Sequence, residues 1–172
     1  MTSVRIVADS GCDLPVNLAA EYQITIVHCY VQFGNDTVSD ADMPAEEFWE
    51  RALNAPQAPA TAAPPPGKFR QPFQQLIAAG HDVICLTLPS KHSAVFNSAW
   101  VAAQEFGQKV RVIDARSITL GMGMQALAAA REAMAGCSLD SIQETIESVR
   151  DRTSVIFVCE RNHDLQMVHE YG

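Results

Sequence analysis

Basic residues are scarce. Twelve Lys+Arg stand against 20 Asp+Glu in 172 residues, a formal charge of −8, and nowhere do the cations cluster. That balance argues against a protein whose affinity rests on neutralising phosphate backbones, and equally against an anionic membrane surface as partner. Long hydrophobic runs are also missing. The most apolar stretches, Ile24–Phe33 and the uncharged Ser117–Ala130, are too short or too weakly apolar to span a bilayer. The opening MTSVRIVADS leads straight into strand-like sequence and is not expected to be a signal peptide. The five cysteines (Cys12, Cys29, Cys85, Cys137, Cys159) are scattered, odd in number and contain no CxxC. They read as reduced thiols in a cytoplasmic protein. Several signatures of chemistry are lacking too: no GxSxG elbow, no HExxH and no GxxxxGK[ST] loop.

What is present is an alternation of short β-rich runs with helical patterns. Val4–Ala8, Ile24–Phe33, Val83–Leu88, Val110–Ile113 and Val155–Val158 read as strands. Most are nearly continuous apolar runs, as a sheet covered on both faces requires. Val95, Ala99, Ala102 and Phe106 line one helix face, and Leu139, Ile142, Ile146 and Val149 another. Ser138 is the expected N-cap of the latter helix, with Asp140 in its first turn and Arg150 and Arg152 at its end, the charge order that suits the helix dipole. Pro44–Leu53 and Phe69–Ala79 are two further helices, the second expected to start late or kink at Pro72. The order implies an α/β fold with a mainly parallel sheet flanked by helices. Ala55–Gly67 interrupts it with five prolines, five alanines and a single hydroxyl, Thr61. A loop so long inside a compact domain is either a stiff linker or functional.

Ligands of parallel sheets sit beyond the carboxyl ends of the strands. Three turns there carry polar groups: Asp9-Ser10-Gly11-Cys12-Asp13, Ser90-Lys91-His92-Ser93, and Asp114. The Ser90–Ser93 turn opens a helix, whose unpaired N–H groups suit an oxyanion, with Ser93 adding a hydroxyl. Either serine also suits a plain capping role. Asp9 and Asp114 are expected in turns and caps rather than as metal ligands, because DSGCD lacks the DxD spacing of a phosphoaspartate enzyme. The glycines of Gly121-Met122-Gly123 are expected to permit close helix packing. Met122, Met124 and Met134 read as core fillers, His28 as a core or interface histidine within a strand, and His163 and His169 as surface residues.

Six segments, in order along nearly the whole chain, are similar to the DegV family of bacterial fatty-acid-binding proteins. ADSGCDLP (Ala8–Pro15) resembles its TDSTxDLP opening, and VQFGNDTVSD (Val31–Asp40) its following FG hairpin. Glu46–Leu53 precedes PATAAPPPGKF (Pro59–Phe69), which resembles PTTSQPSPGEF. PSKHSAVFNSA (Pro89–Ala99) resembles SSKLSGTYQSA, and VIDARSITLGMG (Val112–Gly123) resembles VIDSxxxSxGxG.

The resemblance implies that a long-chain fatty acid is held by its carboxylate between Thr61 and Ser93, with Ser90, His92 and Ala94 beside it. It implies a non-catalytic protein with no cofactor and no metal, which presents the acid to an ATP-dependent fatty acid kinase. Nearby residues depart from the pattern. Ala60, Ala62 and Ala63 replace Thr, Ser and Gln. Ala94-Val95 replaces Gly-Thr, placing a Cβ at the approach to the head group, and His92 replaces an apolar residue and offers a charge-assisted donor. The family continues with a second domain, so residues 1–152 are expected to form the N-terminal domain and 153–172 the start of a shortened second one. An orphaned Val155–Val158 strand then favours a homo-oligomer. Two other readings stay open. One is a structural oligomerisation module without ligand. The other is a small hydrolase or phosphotransferase that would need Asp9, Ser93 and Asp114 to converge.

Overall fold

The computed structural model describes residues 3–156. Four parallel strands form the central sheet: β1 (Val4–Asp9), β2 (Thr25–Val27), β6 (Asp82–Thr87) and β7 (Val110–Asp114), in the order β2-β1-β6-β7. Three further strands make a small antiparallel sheet: β3 (Tyr30–Phe33), β4 (Asp36–Ser39) and β5 (Ala60–Ala62), in the order β4-β3-β5. Among the described residues six α-helices join them: α1 (Val16–Glu21), α2 (Ala45–Asn54), α3 (Pro66–Ala78), α4 (Val95–Ala103), α5 (Thr119–Met134) and α6 (Leu139–Asp151). The expected α/β architecture is therefore the observed one.

The sheet is apolar on both faces because helices cover both. Ile6, Ala8, Ile84, Leu86 and Ile113 point to one side, where Met122, Ala126 and Ala129 of α5 and Ile142 and Ile146 of α6 meet them. Val7, Val83, Cys85 and Val110 point to the other, against Phe69 and Phe73 of α3 and Val95, Ala99 and Ala102 of α4. Successive side chains of a strand alternate between faces, so two cores explain the unbroken apolar runs of β1 and β6. Close contact between α5 and its neighbours depends on glycine. A Cβ at Gly123 would stand 2.6 Å from the Cys12 carbonyl oxygen, and one at Gly121 would overlap Ser117 and Val155.

Several local expectations need correction. Ile24–Phe33 is not one strand: it breaks at His28-Cys29, and its halves, β2 and β3, belong to different sheets. His28 is accordingly exposed at the break and bonded to Asp40, not buried within a strand. α3 begins at Pro66, earlier than expected, and runs through Pro72. Proline suits the first helical position, and the carbonyl that Pro72 leaves unpaired belongs to the exposed, hydratable Lys68. Met122 is buried, but Met124 and Met134 are 54% and 58% exposed and fill no core. Ser138 does cap α6, accepting the Ser141 N–H at 3.3 Å. Of the strand expected at Val155–Val158, Val155 and Ile156 have no regular structure and the rest lies outside the described residues, as do His163 and His169.

Candidate functional site

From β1 the chain goes to β2 on one side and later returns to β6 on the other. The carboxyl ends of β1 and β6 thus flank the topological switch point, where open parallel sheets form a crevice. Asp9, the last residue of β1, is fully buried there. It accepts the Gly11 N–H at 2.9 Å within its own turn and the Leu88 N–H at 2.7 Å across the crevice. Burial pushes its carboxyl up to about 6, against the pull of those two amides, and the neighbouring Asp40 and Asp13 push it further. Asp9 clamps the two polar turns together. No group of three or more His, Cys, Asp and Glu among the described residues is arranged to hold one.

The Ser90–Ser93 turn follows β6. The Pro89 carbonyl accepts the N–H groups of His92 (3.0 Å) and Ser93 (2.9 Å), closing the turn. Ser90 gives Asp114 both its hydroxyl, at 2.6 Å, and its N–H, at 3.1 Å, while the other Asp114 oxygen accepts the Arg116 N–H at 2.8 Å. Ser90 therefore ties the β6 turn to the β7 turn, and its hydroxyl proton is committed. Ser93 is placed differently. Its oxygen accepts the Val95 N–H at 3.3 Å at the opening of α4, yet its hydroxyl donates to no described residue. A lone pair of Ser93 thus serves the opening of α4. Ala94 is the N-cap residue of α4 and, like Lys91 and His92, is exposed on the rim.

Thr61 lies on β5, inside the proline-rich segment that the sequence suggests is a loop. Its partner in the ladder is Val31 of β3. The side chain is exposed, and its hydroxyl bonds to no described residue. Thr61 and Ser93 share no hydrogen bond. They are joined through packing: Ala63, two residues after Thr61, lies against the core cluster that contains Val95, two residues after Ser93.

A cavity of about 630 Å³ opens beside the turn, lined by Ser90, Lys91, His92, Arg116, Ile118 and Val155 among others. Its lining mixes basic Lys91 and Arg116, acidic Asp114 and apolar Ile118 and Val155. Leu120 (56%), Met124 (54%) and Ile156 (87%) extend the apolar exposure beyond it. Asp40 has no counterpart among the residues singled out from sequence. It takes the Ser10 hydroxyl and lies 2.7 Å from the His28 ring, while Ser10 Oγ accepts the Cys29 N–H at 2.9 Å. This network sets the break between β2 and β3, and the VSD that ends the hairpin was its one sequence signal. Among the described residues no hydrogen bond joins Asp9, Ser93 and Asp114 to one another: Asp9 takes the Leu88 N–H and Asp114 the Ser90 N–H and hydroxyl, while Ser93 accepts from Val95.

Polar turns at the switch point, with exposed apolar residues alongside, mark the carboxyl edge of this parallel sheet as its crevice. Residues 3–167 match the family described as uncharacterised protein, DegV family, and the chain belongs to that family. A DegV domain-containing protein of Deinococcus radiodurans is 34% identical over 156 residues, covering 90% of this chain and 56% of the relative. One from Caldanaerobacter subterraneus is 33% identical over 160 residues, covering 92% and 57%. Among solved structures, a fatty-acid-binding DegV family protein from Thermus thermophilus superposes with a TM-score of 0.81 at 28% identity, over 87% of this chain and 54% of that one. A Thermotoga maritima protein whose structure reveals a fatty acid binding function gives 0.77 at 26%, over 86% and 55%. The chain spans about half the length of these relatives.

Proposed function

We propose that this protein is a non-catalytic carrier of a long-chain fatty acid, which it holds by the carboxylate between Thr61 and Ser93 and presents to a fatty acid kinase in the cytoplasm. The observation that carries the reading is the Ser93 hydroxyl. Its oxygen is engaged by the Val95 N–H and its proton is free of any described residue, on the rim of the switch-point crevice. Thr61 supplies the second donor from β5. Ser90 acts through Asp114, holding the turn, rather than by donating to the ligand. His92 and Ala94 edge the head group.

The energetics divide the labour. Each hydroxyl bond to a carboxylate contributes about 1.5–3 kcal/mol, whereas each buried methylene contributes about 0.8 kcal/mol. A long tail therefore dominates affinity, and the two hydroxyls set which end of the acid faces the crevice mouth. The apolar exposure at Ile118, Leu120, Met124 and Val155 is where the first part of a tail would lie.

Native mass spectrometry of the purified protein, followed by denaturing extraction, tests the reading. One fatty acid per chain, lost or no longer phosphorylated by the kinase in the Thr61→Ala, Ser93→Ala double variant, is the expected result. Unchanged phosphorylation in that variant would refute the assigned roles, and a chain that takes up no fatty acid would refute the function.

A further inference from the structure

Among the described residues, β7 stands at the edge of the central sheet and pairs with β6 alone. The Ala115 N–H bonds to the Thr87 carbonyl, so by the alternation of a parallel ladder the backbone groups of Arg111 and Ile113 also turn inward. Those of Val110, Val112 and Asp114 turn outward. A groove of about 570 Å³ runs along this edge, with Phe96, Trp100 and Gln104 of α4 on one wall and Gln143 and Arg150 of α6 on the other. Trp100 is 49% exposed. Outward N–H and C=O groups in a row are satisfied by another strand, not by a small ligand.

We propose that this edge joins a second copy of the chain, β7 against β7 across a two-fold axis, making one continuous eight-stranded sheet. A two-fold normal to the sheet makes the new pair antiparallel and keeps each helix layer on its own side. Opposed residues must share a face and both point their backbone groups outward or inward, so the axis passes through a residue of β7, not between two. Centred on Val112, the pair matches all five residues, Val110 with Asp114 and Arg111 with Ile113. Centred on Arg111, it would set one guanidinium against the other, and like charges directly opposite destabilise. Centred on Ile113, it would leave Val110 without a β7 partner.

The groove walls agree with the same axis. α6 runs from Asp140, 2.6 Å from Arg111, to Arg150 and on to Val155 beside Gly121. The two-fold therefore brings the end of one α6, where Arg150 lies 3.5 Å from Asp151, towards the start of the other, where Asp140 is paired with Arg111, so that groups of opposite sign approach across the axis. On the opposite face Phe96 and Trp100 come against their own counterparts and lose their exposure to water. The groove shares Asp114 and Arg116 with the cavity beside the Ser90–Ser93 turn, but its occupant is argued from the β7 edge alone, so the inference does not rest on the ligand.

Sedimentation velocity from about 1 to 200 µM tests it with the Val112→Pro variant. Proline there removes an outward N–H and no bond to β6, so the fold should persist by circular dichroism. The expected result is a dimer in the wild type and its loss in the variant. Trp100→Lys, a change at a half-exposed helix position, gives the same readout if the proline variant does not fold. A wild type that stays monomeric at the top of the range overturns the proposal. So does a dimer that survives both substitutions.

Discussion

Asp9 and Leu88 are 79 residues apart in sequence, and a 2.7 Å hydrogen bond from the Leu88 amide to the Asp9 carboxylate joins the ends of β1 and β6. The bond is part-buried and sits between the two polar turns. It couples the protonation of one carboxyl group to the geometry of the crevice.

That coupling has a sign. The folded-state pKa of Asp9 is raised to about 6 by burial, so the folded protein binds this proton more tightly than the unfolded chain does. Its favourable contribution is complete below the unfolded value near 4 and is lost as pH rises through about 6. A shift of this size is worth about 2–3 kcal/mol. In urea titrations the wild type should lose that much of its stability relative to the Asp9→Asn variant between pH 4 and pH 7. A difference that does not change with pH would show that Asp9 is ionised in the fold throughout.

Asp114 gathers three donors from two turns: the Ser90 hydroxyl and N–H, and the Arg116 N–H. Asp114→Ala should cost about 1–2 kcal/mol, since hydrogen bonds to a charged acceptor are worth more than neutral ones but this site is partly hydrated. Hydrogen exchange at Ser90 and Arg116 should accelerate more than exchange in β1 and β6. Equal acceleration everywhere would mean that Asp114 supports the whole fold instead of these turns.

Two glycines make opposite predictions. Gly123→Ala drives a methyl to 2.6 Å from the Cys12 carbonyl, a backbone atom that cannot swing aside, and should cost about 1–3 kcal/mol. Gly67, in the first turn of α3, has open space around its Cβ direction. Gly67→Ala should stabilise by about 0.4–1 kcal/mol through the unfolded chain. Thermal melts of the pair test both at once.

The described cysteines should resist alkylation in the native state. Burial pushes the Cys12 thiol up to about 11 and Cys29 up to about 12, and raises Cys85 well above the ordinary value. Cys137 is raised by donating to the Glu132 carboxylate at 2.9 Å. Thiolates are the reactive form, so iodoacetamide at pH 8 should modify these four slowly until denaturant is added. Rapid native labelling at Cys12 would contradict the packing of α5 against β1, and at Cys85 the packing of α3 and α4 against the other face of the sheet.

The parallel sheet and its helices were legible because two covered faces leave an unmistakable run of apolar residues in β1 and β6. The small sheet was not. β2 and β3 adjoin in sequence as ITIVHCYVQF, and nothing in that string marks His28-Cys29 as the point where the chain changes sheets. The break is set by Asp40, which reaches back to Ser10 and His28 from the end of the hairpin. β5 was hidden for a related reason: a proline-rich segment carries no strand propensity, and the pairing to β3 is supplied by the hairpin. Of the site, Ser93 was readable at a helix opening and Thr61 as the only hydroxyl of its segment. The different fate of Ser90, bound to Asp114, depends on the distance between two turns, which spacing in sequence does not encode.

The three residues of β5 are Ala60, Thr61 and Ala62. Thr61 faces Val31 because of a ladder only three residues long. Sliding that strand by one place in either direction would bring a methyl group to the position now held by a hydroxyl. The placement of the proposed head-group donor is thus a property of strand register as much as of residue identity, and an insertion or deletion in the proline-rich stretch would shift it with Thr61 itself untouched.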